Sequence, residues 1–250
     1  MTAPKQQQTL GFYLALMEEI KLRIAAVESV LCGRVEGFPI QIKVDAFPPF
    51  LREFCFFHFR AICELVACAC VVAHGTLPVA KLKKECQADR IVNMLEKMHA
   101  NFYPKPVKMT ITSGHVHLDD VTGGFLTKKE LVDLCHKSGS YLHRSFRNLE
   151  KTKQPVEVDY KEIHCILKKV VTLLSQHIIF SHDRSHYILC ALSVADAGGN
   201  VQVAFAEAPP AADSVIVASP DAPQTTSALA PVRWIDRLAS GVRGLSPDSS

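Results

Sequence analysis

Two groups of residues in this chain have types and spacings suited to chemistry. His115-Val-His117 lies in VKMTITSGHVHLDD, where apolar and polar residues alternate, and Asp119 and Asp120 follow. Alternate residues of a strand face one side, so His115 and His117 can present two imidazoles to one metal ion. The local sequence holds no third fixed ligand. The second group is a polar stripe on the apolar stretch PPFLREFCFFHFRAICELVACACVVAHG, residues 48–75. At about 100° per residue, Arg52, Glu53, Arg60, Glu64 and His74 fall within about one third of a helix circumference, and His58 falls nearly opposite. An unpaired buried charge costs several kcal/mol, but Arg60 and Glu64 stand one turn apart and can pair. The stripe is therefore a structural ion pair or the wall of a polar site, and Arg60 and Glu64 are expected to be buried and mutually satisfied.

These residues need elements to position them. Residues 54–73 are almost all apolar, which predicts a buried central helix ending at Gly75. Before it, the spacing of Leu10, Tyr13, Leu14, Met17, Ile20, Leu22, Ile24, Val27 and Val30 marks an amphipathic helix over 9–31, and the prolines between 39 and 49 mark a connector. After a basic segment with Lys81, Lys83 and Lys84, a helix is expected over 90–99 with Asp89 as its N-cap. Period-two alternation around Ser113-Gly114 predicts a hairpin. Thr127 and Glu130 form a T-x-x-E capping box that opens a further helical block, interrupted at Ser138-Gly139-Ser140. One-face periodicity predicts a helix over 158–176. Residues 187–194 and 201–206, joined by Ala197-Gly198-Gly199-Asn200, predict a second hairpin. From Glu207 the composition turns to Ala, Pro and Ser, as in a disordered tail, with one amphipathic stretch around Trp234.

Three resemblances bear on function. Residues 127–149, TKKELVDLCHKSGSYLHRSFRNL, resemble the helix-turn-helix of AraC-type regulators at Ser138, Ser140, Tyr141, Leu142, Arg144 and Phe146. That resemblance implies DNA binding through Ser140, Arg144 and Arg147, although His136 and Lys137 depart from the usual turn. Arg52-Glu-Phe-Cys-Phe-Phe-His58 resembles the Arg-x4-6-His spacing of HEPN helical domains. It implies a ribonuclease site of Arg52, His58 and His143, with the histidine assisting proton transfer across a dimer. Residues 8–206 as a whole resemble an uncharacterised bacterial protein family, with a helical, HEPN-like core, which implies one domain and transfers no catalytic residue.

Composition narrows the classes. A formal charge of +3 is too mild to imply nucleic acid or an anionic membrane. The nine cysteines are odd in number, lack a CxxC pair and lie mostly in apolar helical runs, as core thiols of a reducing compartment do. Met1 to Gln8 is polar and lacks the pattern of a signal peptide, and His58, Arg60 and Glu64 argue against a membrane span in the central helix. The expected fold is a single mostly α-helical α+β domain over 8–206, with a buried central helix at 48–75, two small β-hairpins and a tail at 207–250. The expected function is a cytoplasmic binding or interaction module rather than an enzyme. A protein partner or a second copy is the first expected partner, with DNA or RNA as the alternatives, no membrane and no cofactor.

Overall fold

The central helix forms where the apolar run places it. In the computed structural model, which describes residues 3–32, 48–74, 87–112, 115–142, 160–181, 186–193 and 198–207, α2 spans Pro48–Ala73. Helix α1, Ala3–Leu31, packs along it and begins six residues before the periodic pattern does. Tyr13, Met17, Ile20, Ile24, Val27 and Val30 form its buried face at spacings of three and four, as the sequence predicts, whereas Leu22, two residues from both Ile20 and Ile24, falls off that face and is exposed. Helix α3, Ala88–Met98, buries Ala88, Ile91, Val92 and Leu95, and its N-cap is Gln87, with Asp89 one residue inside the first turn. Helix α4, Lys128–Leu142, and helix α5, Tyr160–Leu174, complete the helical part among the described residues.

The capping box at α4 is made. The Thr127 amide donates to Glu130 Oε2 at 2.9 Å and the Glu130 amide donates to Thr127 Oγ1 at 3.3 Å. Lys169 on α5 also donates to Glu130, so one carboxylate both starts α4 and ties it to α5. These donors hold the Glu130 carboxyl down at about 2. Ser138-Gly139-Ser140 does not interrupt α4, because the helix continues through Leu142 with Ser138 and Gly139 buried in its packed face. A helix therefore stands where the helix-turn-helix resemblance calls for a turn.

The expected hairpins form as β1, Lys105–Thr112, with β2, His115–Asp120, and as β4, His186–Ala191, with β5, Gln202–Glu207. They are not separate. A further strand begins at Gln176, where the helix expected over 158–176 was to end: β3, Gln176–Phe180, pairs with β4 along its length and with β1 at Lys105↔Ile178 and Pro106↔His177. The result is one antiparallel sheet of order β2-β1-β3-β4-β5. Ile179, Ile188 and Cys190 join the helical core, whereas Val107, Met109, Ile178, Tyr187 and Leu189 form a second buried cluster. Glu207, expected to open the tail, is the last residue of β5. The 39–47 connector, Gly75, Lys81 to Lys84, the Ser113-Gly114 turn, His143, Arg144, Arg147 and the tail at 208–250 lie outside the described residues.

Candidate functional site: a polar cleft and an open apolar face

The polar stripe divides once α2 is packed. Arg60 Nε donates to Glu64 Oε1 at 3.0 Å, but the two side chains keep 34% and 39% of their surface exposed. They are partly buried rather than sealed, because α2 borders a cleft of about 320 Å³ against α3 and α4. Across it lie Asp89, His136, Gly139 and Ser140. His136 Nε2 on α4 stands 3.7 Å from Asp89 Oδ2 on α3, while the α2 wall is compensated within itself by the Arg60–Glu64 pair. Gly139 leaves room for Arg60, since a Cβ there would stand 2.9 Å from Arg60 Nη1. Glu53 is half-buried. His74 is sealed in the core at the end of α2, where its Nδ1–H donates to Cys70 O at 2.8 Å and its ring lies 5.0 Å from that of His99.

Arg52 and His58 face different neighbours. The Arg52 guanidinium lies 4.3 Å from the Tyr141 ring centroid, donates to the Tyr141 hydroxyl and pairs with Glu162 on α5 at 3.6 Å. Tyr141 in turn stacks on Phe56 at 4.2 Å, so Arg52 acts as a clamp joining α2, α4 and α5. His58 packs edge-on against Phe54 at 4.4 Å and Phe57 at 5.5 Å. Burial and the nearby Arg23 hold its pKa below the usual imidazole value, which favours the neutral ring. No described contact brings Arg52 and His58 together. Tyr141, part of the helix-turn-helix resemblance, is committed to Phe56 and Arg52, while Ser140 is exposed and its hydroxyl donates to Lys137 O.

On the hairpin, His115 and His117 pair in register with Thr112 and Thr110. Asp120 has the opposite phase and pairs with Lys105 at 2.7 Å. Among the described residues no group of three or more His, Cys, Asp or Glu side chains could hold a metal ion.

Two features escaped the sequence reading. One is a buried pair: Tyr13 O–H on α1 donates to His177 Nε2 on β3 at 2.7 Å, and His177 Nδ1–H donates to Leu174 O at 3.0 Å. Complete burial lowers the His177 pKa to about 4 and raises that of Tyr13, so both are neutral and the tautomer is set by the Leu174 carbonyl. The other is an open face on α2. Phe50 and Phe57 are 54% and 50% exposed, Cys68 is exposed, and Phe54, Ala61, Leu65 and Val72 are half-buried. At about 100° per residue these seven side chains fall within about 80° of arc, along about 33 Å of helix. The stripe carries no formal charge. Its edge is marked by Arg23, whose guanidinium carbon lies 6.0 Å from the Phe57 ring centroid.

Compared with protein-family models, curated proteins and solved structures, the chain matches none.

Proposed function

We propose that the chain is a cytoplasmic interaction module that docks a protein partner on the open apolar face of α2. The observation that carries this reading is the half exposure of Phe50 and Phe57 on one face of a core helix. Scattered exposed apolar residues are ordinary on a soluble protein, but a continuous uncharged stripe the length of a helix is characteristic of a docking surface. The polar cleft supports a ligand less well, because its arginine is already paired with Glu64. Support for the cytoplasm comes from the eight described cysteines, all free thiols, which a reducing compartment maintains.

The test is capture by the immobilised full chain and by its Phe50→Asp/Phe57→Asp variant, with bound protein identified by mass spectrometry. Both positions are half exposed, so the variant should unfold at nearly the parent temperature. Proteins retained by the parent, including further copies of the chain, should be lost from the variant. Identical captured sets from two equally folded proteins would refute the docking role of α2.

A further inference from the structure

The α2 stripe has an internal order that selects its occupant. Phe50, Phe54 and Phe57 precede Ala61, while Leu65, Cys68 and Val72 follow it at the same intervals in reverse. Each bulky aromatic residue thus has a smaller counterpart at an equal distance on the other side of Ala61. We infer that the occupant is a second copy of this chain, its α2 lying antiparallel across a two-fold axis at Ala61. This inference rests on the docking role of the same face.

The antiparallel arrangement brings residues at equal distances on opposite sides of Ala61 to one level. Phe57 then packs beside Leu65 of the other copy, Phe54 beside Cys68 and Phe50 beside Val72, while Ala61 meets Ala61 at the closest approach. Large against small at every level is how two helix surfaces interdigitate, and a two-fold axis repeats each contact twice. A parallel arrangement would set Phe50, Phe54 and Phe57 against themselves at one end and small residues against themselves at the other. Crowding would alternate with voids. No charged side chain lies in the stripe, so neither copy has an ion to desolvate within it.

The structure also contains a ruler for direction. In the antiparallel register the two Cys68 residues lie about 21 Å apart along the helix axes, seven residues on each side of the centre. That is beyond the roughly 6 Å between Cα atoms that a disulfide spans. Position 61 is within reach, because helices packed about 8–10 Å apart bring facing Cα atoms to about 4–5 Å.

The full chain should sediment as a particle of twice 27.6 kDa. The equally folded Phe57→Asp variant should sediment as a monomer. The Ala61→Cys variant, oxidised with oxidised glutathione, should give a covalent dimer whose mapped disulfide joins Cys at 61 to Cys at 61, while the parent forms no Cys68–Cys68 link. A Cys68–Cys68 link in the parent would overturn the antiparallel register. A parent that stays monomeric throughout would overturn the second copy as occupant. If that monomer still loses captured protein on Phe50→Asp/Phe57→Asp, the docking role stands and the face belongs to another protein. If the captured sets are also identical, both readings fail. A monomer that floats with phosphatidylcholine vesicles would assign the face to a bilayer, and one that dimerises on Trp234→Ser would assign it to the chain's own tail.

Discussion

The buried Tyr13–His177 pair makes acid sensitivity a property of the core. His177 is fully buried and its pKa lies near 4, against 6.5 for a solvated imidazole. Between those values the unfolded chain binds a proton at this position and the folded chain does not, so stability rises with pH across the window. The stability present above pH 6.5 is lost as pH falls toward 4 and levels off below it. A difference of about two and a half pH units, at about 1.4 kcal/mol each, corresponds to about 3 kcal/mol from this one ring. Tyr13→Phe removes the donor to Nε2 and should cost about 1–3 kcal/mol by leaving a buried acceptor unpaired. It should leave the pH slope intact, because burial and not the tyrosine lowers the pKa. The Tyr13→Phe/His177→Leu double variant should lose the His177 part of the slope. His58, also lowered, contributes to parent and variant alike. Urea unfolding of all three proteins between pH 7 and pH 4 measures each quantity. Equal loss of stability by parent and double variant across that range would refute the reasoning.

Two substitutions test smaller features. Glu64→Ala should lower stability by less than about 0.5 kcal/mol, because the pair with Arg60 is an i, i+4 contact with over a third of each side chain in solvent. Thermal unfolding several degrees below the parent would show that pair to be buried after all. Thr127→Ala should cost about 1 kcal/mol through loss of the α4 cap. An unchanged denaturation midpoint would show that Glu130 and Lys169 hold the start of α4 without it.

The elements were legible where local chemistry decides them. Spacings of three and four fix α1 and α5, Thr127 and Glu130 fix the start of α4, and period-two alternation fixes β1 with β2. The strand β3 was not, since Gln176-His-Ile-Ile-Phe180 follows α5 after Ser175 alone and its apolar residues extend the helical pattern. The signal against a helix was the β-branched pair Ile178-Ile179 before the polar turn at Ser181. Its pairing with Lys105 and Pro106 joins residues about seventy positions apart, and no local pattern encodes that. Tyr13 and His177 are farther apart still. Ser138-Gly139-Ser140 misled because small residues usually mark turns, whereas here Gly139 admits the Arg60 guanidinium between two packed helices. An α2 apolar on nearly every side reads as buried on every side, yet α1, α3 and α4 with an edge of β3 do not enclose it.

The open face also sets the scale of the interaction it can support. Full burial of a phenylalanine is worth about 1.5–3 kcal/mol, so a half-exposed one returns about 1 kcal/mol on docking. A two-fold dimer buries Phe50 and Phe57 twice, for about 4 kcal/mol in all, which only reaches the lower end of the roughly 4–15 kcal/mol that association costs. Those aromatics alone do not hold two copies together. The half-buried Phe54, Leu65 and Val72, with Cys68 and the close approach at Ala61, must supply the surplus, so affinity depends on the register of the whole stripe. Phe57→Asp consequently acts beyond its own contact. It removes an aromatic from two levels of the dimer at once and sets a hydrated carboxylate against Leu65 in each, drawn toward Arg23 at the edge of the stripe and away from the apolar contact.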